Sequence, residues 1–165
     1  MAPSLERGAP LKFVMASSNI GRKRPVVRGI GEIALRVNNL DVMQKFYEEV
    51  IGLPLMIRTP NSAFFKIAEG YSGHTQVLAL FDRSGTVGYR GTDAATSTLD
   101  HIAFEIALAD LANEQARLAA LGFEVEVAEH EWVHWRSLYL IDPEGNQVEL
   151  VCYDESAQHP RPIRP

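Results

Sequence analysis

The sequence predicts an α+β fold, two tandem βαβββ modules forming a cupped mixed sheet around a cleft. Three observations predict it. Short stretches alternate apolar and polar residues with the period of a strand, as in GEIALRV (31–37) and LDHIAFEI (99–106). After each such first strand comes one segment of helical spacing, and then three more strand-like pieces. The pattern of the first half also returns in the second. Setting Glu32 on His101 places Ile33 on Ile102, Ala34 on Ala103 and Asp41 on Asp110, and a one-residue gap brings Gly52 onto Gly122.

Residues 1–28 carry no period and read as an irregular arm, with Arg22, Lys23, Arg24 and Pro25 a solvated basic cluster. Residues 29–81 form the first module. Asn38 and Asn39 suit a helix cap, and Met43, Phe46, Tyr47, Val50 and Ile51 follow helical spacing up to Gly52. LPLMIRT (53–59), SAFFKIA (62–68) and TQVLALF (75–81) complete the unit. A Gly-, Ser- and Thr-rich linker spans 82–98. The second module occupies 99–153, its helix carrying Leu111, Leu118 and Leu121 on one stripe. Residues 154–165 are a Pro-rich tail. Residues 30–153 thus make one domain.

Composition narrows the class. A chain of 165 residues with 46% hydrophobic and 22% charged content can bury a real core. A net charge of −5 argues against nucleic acid or an anionic membrane as partner. No apolar run is long enough to span a bilayer. The first stretch holds Glu6, Arg7 and Lys12 and does not read as a secretory signal. Cys152 is the only cysteine, so no internal disulfide can form, and a cytoplasmic location is expected. Cys152 lies opposite Glu149 by strand parity and reads as packing.

The chemistry concentrates in SLYLIDPEGNQVELV (137–151), two strands joined by a Pro-Glu-Gly-Asn loop. Glu149 is a carboxylate inside an apolar strand. It is paired, bound to a cation or at the wall of a wet cavity, unless it simply faces solvent. The duplication suggests how other residues join it. Aligning Gln76-Val77 with Gln147-Val148 sets Leu78 opposite Glu149. One face then takes Ile33, Leu35, Val37, Ile102, Phe104 and Ile106 against the helices. The cupped face takes Glu32, His101, Leu78 and Glu149, three of which offer nitrogen or oxygen donors and none sulfur. Arg136, if it faces the cleft, suits a substrate carboxylate. Plainer roles exist for the neighbours: His130 and His134 can stack with Trp132 and Trp135 at a rim, and Tyr139 can pack in the core.

Two βαβββ units, an FY pair in the first helix, LDHIAF, and the 137–151 stretch resemble the vicinal oxygen chelate superfamily. That superfamily includes glyoxalase I, epimerases, extradiol ring-cleaving dioxygenases, and fosfomycin and bleomycin resistance proteins. The resemblance covers about residues 30–153 and implies a metal on the cupped face, with Glu32, His101 and Glu149 as its ligands. Glu32 stands where His or Gln is usual, and Leu78 cannot ligate. A finer match is to the extradiol dioxygenase signature, carried here by His130, Tyr139, Pro143-Glu144-Gly145 and Glu149. It implies one divalent ion, Fe(II) or Mn(II) by preference over Ni, Co or Zn. Tyr139 would bond the bound phenolate and His130 would orient it, with Arg136, Trp135 and Leu78 lining the substrate site. The expected activity is extradiol-like oxygenation of a small molecule bearing adjacent oxygens. Two alternatives are a glyoxalase-I-like lyase or epimerase, and a metal-free drug-binding protein walled by Phe64, Phe65, Trp132 and Trp135. The expected partners are a small-molecule substrate and a second copy of the chain in a homodimer.

Overall fold

The computed structural model describes residues 26–93 and 95–157, so the expected arm lies almost wholly, and most of the tail, outside the described residues. Alternation in EIALRV lays down β1 (Glu32–Val37), whose polar residues stay outward while Leu35 and Val37 bury. The Asn39 side chain accepts from the Val42 amide at 3.2 Å and starts α1 (Leu40–Lys45), which continues as a π-helical stretch, Phe46–Val50. Gly52 follows at φ 83°, and Gly122 ends the second helix at φ 89°, angles that a side chain would strain. β2 (Leu55–Thr59), β3 (Ser62–Glu69) and β4 (Thr75–Asp82) finish the first module. The second repeats it with β5 (His101–Glu105), α2 (Leu111–Ala120), β6 (Glu126–His130), β7 (Trp135–Ile141) and β8 (Gln147–Tyr153). No helix among the described residues is long and apolar enough to cross a membrane.

The strands form two four-stranded mixed sheets with matching orders, β1-β4-β3-β2 and β5-β8-β7-β6. In each, the first strand runs parallel to the last and the remaining pairs are antiparallel. Leu35, Leu78 and Leu80 of one sheet share a single apolar cluster with Ile102, Phe104, Leu138 and Leu150 of the other. Met43, Phe46, Tyr47 and Leu118 of the helices fill it. Each fully buried large side chain there contributes roughly 1.5–3 kcal/mol.

Register corrects one expectation. Ile33 faces Leu78 and Ala34 faces Ala79, just as Ile102 faces Val148 and Ala103 faces Glu149. The counterpart of Glu149 is therefore Ala79. Leu78 is the counterpart of Val148, 0% exposed in the core, and does not line a substrate cleft. The Gln-Val match at 76–77 and 147–148 is one residue out of step with the pairing, and a one-residue slip exchanges the two faces of a strand.

Several ties cross between the modules. The Tyr47 hydroxyl donates to Asp142 Oδ2 at 3.0 Å, and Asp142 also accepts from the Glu144 and Asn146 amides. Glu144 reaches back to accept from the Asn38 and Asn39 amides at the start of α1, at 2.8 and 2.7 Å. Arg117 Nη2 donates to the Val50 carbonyl at 2.6 Å. Burial, and after it the Asp142 carboxylate, push the Tyr47 phenol above its ordinary value of 10.0. The folded state thus keeps this phenol neutral where the unfolded chain ionises it. Its contribution to stability is complete below that ordinary value and is lost as pH rises beyond it. The urea midpoint should fall between about pH 9 and 11, and Tyr47→Phe, weaker at neutral pH, should fall less steeply over that interval.

Candidate functional site

β5, β7 and β8 place the functional side chains by strand parity. His101 and Ala103 on β5, Gln147 and Glu149 on β8, and Ser137 and Tyr139 on β7 all point away from the helices. Glu149 is only 2% exposed, while the His101 side chain is 36% exposed. They meet directly, with His101 Nε2 3.0 Å from Glu149 Oε2. Such burial costs a carboxylate several kcal/mol unless it is hydrogen-bonded and paired. The pairing is present: Ser137 Oγ donates to Glu149 Oε1 at 2.5 Å. On its other side His101 Nδ1 lies 2.7 Å from Asp100 Oδ2.

Tyr139 stands directly across from Glu149 in the β7–β8 register. Its ring lies edge-on to His101 at 5.8 Å and to His130 at 6.3 Å. His130 Nε2 is 3.0 Å from the Tyr139 hydroxyl. Burial raises the Tyr139 phenol, and the Glu149 charge and hydrogen bond raise it further, so it remains a proton donor at neutral pH. The result is a continuous polar line, His130–Tyr139–Glu149–His101–Asp100, running from a buried carboxylate to solvent at both ends. Trp135 pairs with His130 across β6 and β7 and forms the rim on the same side, 41% exposed.

Two expected members are elsewhere. Arg136 pairs with Cys152, on the opposite face of the sheet from Glu149. Its guanidinium is held by Glu129 at 2.8 Å and Asp154 at 3.4 Å, so it does not reach the cleft. Glu32 lies exposed on the corresponding face of the first sheet. Among the described residues, no three His, Cys, Asp or Glu side chains converge to hold a metal ion. Within one chain, then, Glu32 does not join His101 and Glu149. Phe65 is likewise a core residue and no wall.

Three residues escaped the sequence reading. Asp100 precedes His101 directly. Ser137 stands two positions before Tyr139, so parity alone puts it on the same face. Arg36, four residues beyond Glu32, shares the exposed face of β1 and makes no ion pair among the described residues. A donor set of one imidazole nitrogen and one carboxylate oxygen, each tied at its far atom, fits half of a divalent-metal site with oxygen and nitrogen ligands.

The chain is 34% identical over 122 residues to biphenyl-2,3-diol 1,2-dioxygenase 3 of Rhodococcus globerulus, a match covering 73% of this chain. The chain spans 61% of that relative's length. Lactoylglutathione lyase from Agrobacterium tumefaciens superposes with a TM-score of 0.55 at 28% identity, over 79% of this chain and 96% of that one. The fosfomycin resistance protein FosX from Mesorhizobium loti shares the fold at 22% identity, with a TM-score of 0.56 and the same coverage of 79% and 96%. A family model matches residues 29–150. The chain belongs to the Glyoxalase/Bleomycin resistance protein/Dioxygenase superfamily.

Proposed function

We propose that the protein is a metal-dependent enzyme acting on a small molecule with adjacent oxygens, by extradiol-type ring-cleaving oxygenation. The observation that carries this reading is the line His130–Tyr139–Glu149–His101, with Glu149 buried and His101 open to solvent. Similarity to a diol dioxygenase supports the choice of reaction.

His101 and Glu149 would hold one divalent ion, Fe(II) or Mn(II) by preference, through Nε2 and Oε2. When bound, such an ion supplies the positive charge that gathers adjacent substrate oxygens and the electron that dioxygen chemistry requires. The protein's own residues do the rest. The Tyr139 hydroxyl donates a hydrogen bond to a substrate phenolate. His130, 3.0 Å from that hydroxyl, orients it and can take or return a proton. Trp135 covers one side of the ring. The third donor in this reading is Glu32 of a second copy, because Glu32 is exposed on an open sheet face and is not joined to the pair in its own chain. Arg36, on the same face of β1 and about 13 Å further along the strand, would bring a cation for an anionic substituent. The buried single cysteine suits a reducing compartment, and we assign the protein to the cytoplasm.

A lyase or epimerase reading has one observation in its favour, the 28% identity to a lactoylglutathione lyase. Against it, the position equivalent to Glu149 in the first module is Ala79, which offers no fourth donor.

Mixing variants tests the shared site. Glu32→Ala and His101→Ala should each lose metal and oxygen uptake with catechols. When the two are unfolded and refolded together, mixed dimers regain one intact site each, and roughly a quarter of sites should return. Recovery of neither metal nor uptake, with both variants folded, would count against a site shared between copies. Parent protein that binds metal yet consumes no oxygen across a catechol panel would favour the lyase reading.

A further inference from the structure

We propose that Ser137 is a positioning residue that makes Glu149 a one-oxygen donor. This rests on the metal-dependent reading above. Ser137 is fully buried on β7, opposite Val151 and one step along the cupped face from Tyr139. Its hydroxyl lies 2.5 Å from Glu149 Oε1, which leaves Oε2 as the oxygen that faces His101 Nε2 at 3.0 Å. Nothing intrinsic to a glutamate fixes which oxygen points where, since its terminal torsion is broad and close to two-fold. A buried serine with one proton to give removes that freedom. Its place in a central strand of the sheet keeps it from following the carboxylate if the latter turns.

The consequence is coordinative. Two-oxygen binding by Glu149 needs both oxygens at similar distances from the ion. Ser137 holds Oε1 toward β7, away from the imidazole. Glu149 then occupies one position at the ion instead of two, and the position spared is available to a chelating substrate. His101 is treated in the same way by Asp100, which takes Nδ1 at 2.7 Å and leaves Nε2 presented. Ser137 touches neither substrate nor metal in this scheme. It acts only through Glu149.

Co(II) serves as the probe, because its visible absorption reports coordination number without any turnover. In the full-length protein, Ser137→Ala should weaken Co(II) binding by roughly 10–100-fold, the range seen when groups supporting a ligand are removed. The absorption of the loaded variant should also weaken, toward that of a higher coordination number. Ser137→Thr keeps the hydroxyl and should retain the parent affinity and spectrum. Ser137→Cys fills the same space with a much weaker donor and serves in its place should the alanine variant prove unstable, with the same loss expected. Unchanged affinity and spectrum in Ser137→Ala would overturn the proposal. So would equal losses in Ser137→Ala and Ser137→Thr, because packing and not the hydroxyl would then be responsible. Parent protein that takes up no Co(II) would instead sink the metal-dependent reading itself, and this proposal with it.

Discussion

Leu78→Glu is expected to unfold the domain. The position is 0% exposed, faces Ile33 across β1 and β4, and belongs to the cluster shared by both sheets. A carboxylate there would have no partner. The cost of an unpaired buried charge is about 3–5 kcal/mol, before adding the lost packing of a leucine. Domains have only roughly 5–15 kcal/mol in total. Thermal unfolding should therefore drop by more than about 10 °C, or the variant should be insoluble. Ala79→Glu offers the contrast. Its side chain would leave the sheet on the other face, beside exposed Ala34; Ala79 is itself 0% exposed, so the carboxylate must reach past its neighbours to water, and the variant should unfold below the parent but above Leu78→Glu. It would also present a carboxylate at the position equivalent to Glu149. A Leu78→Glu protein with parental unfolding temperature would mean that the β1–β4 register is wrong.

Removing either central donor should have the largest effect on metal. Glu149→Gln keeps shape and lets the amide bond both Ser137 and His101, so the fold should persist. The hard anionic donor is gone, however, and divalent-metal affinity should fall by more than roughly 100-fold, beyond the loss expected for a merely supporting group. His101→Ala should do the same by deleting Nε2. Oxygen uptake with catechols should fall to background in both. Equilibrium dialysis against Mn(II), run beside circular dichroism, separates loss of metal from loss of fold. Full metal content in a folded His101→Ala protein would place the site elsewhere.

Much of this was legible in the residues. Alternation in EIALRV and LDHIAFEI marked both first strands, and the two glycines after the helices marked their ends. Parity within single strands also held: His101 and Glu149 share a face, and Cys152 is buried on the other. Parity could equally have rejected Arg136, three residues from Tyr139 and so on the opposite face. What could not be read was the relation between strands. The phase of β4 against β1 is set by backbone pairing, and the bulge between Lys66 and Ala68 on β3 has no counterpart on β7, so an identical Gln-Val pair proved a false guide. Nor does a sequence say how two sheets are turned toward each other. Glu32 has the right parity, yet its distance from His101 depends on packing between modules that no local pattern encodes.

The Glu144 contact has a consequence for the order in which the protein is made. Its carboxylate accepts from the Asn38 amide, 106 residues earlier in the chain, and the same loop supplies the partner for Tyr47. As synthesis proceeds from the N-terminus, the first half emerges with a helix of barely three turns whose opening amides lack this acceptor. Phe46 must also wait for Phe123, its neighbour at 5.7 Å. The nascent first half therefore shows an apolar, unfinished surface until the loop at 142–146 leaves the ribosome. Complete burial of that surface waits on the second module.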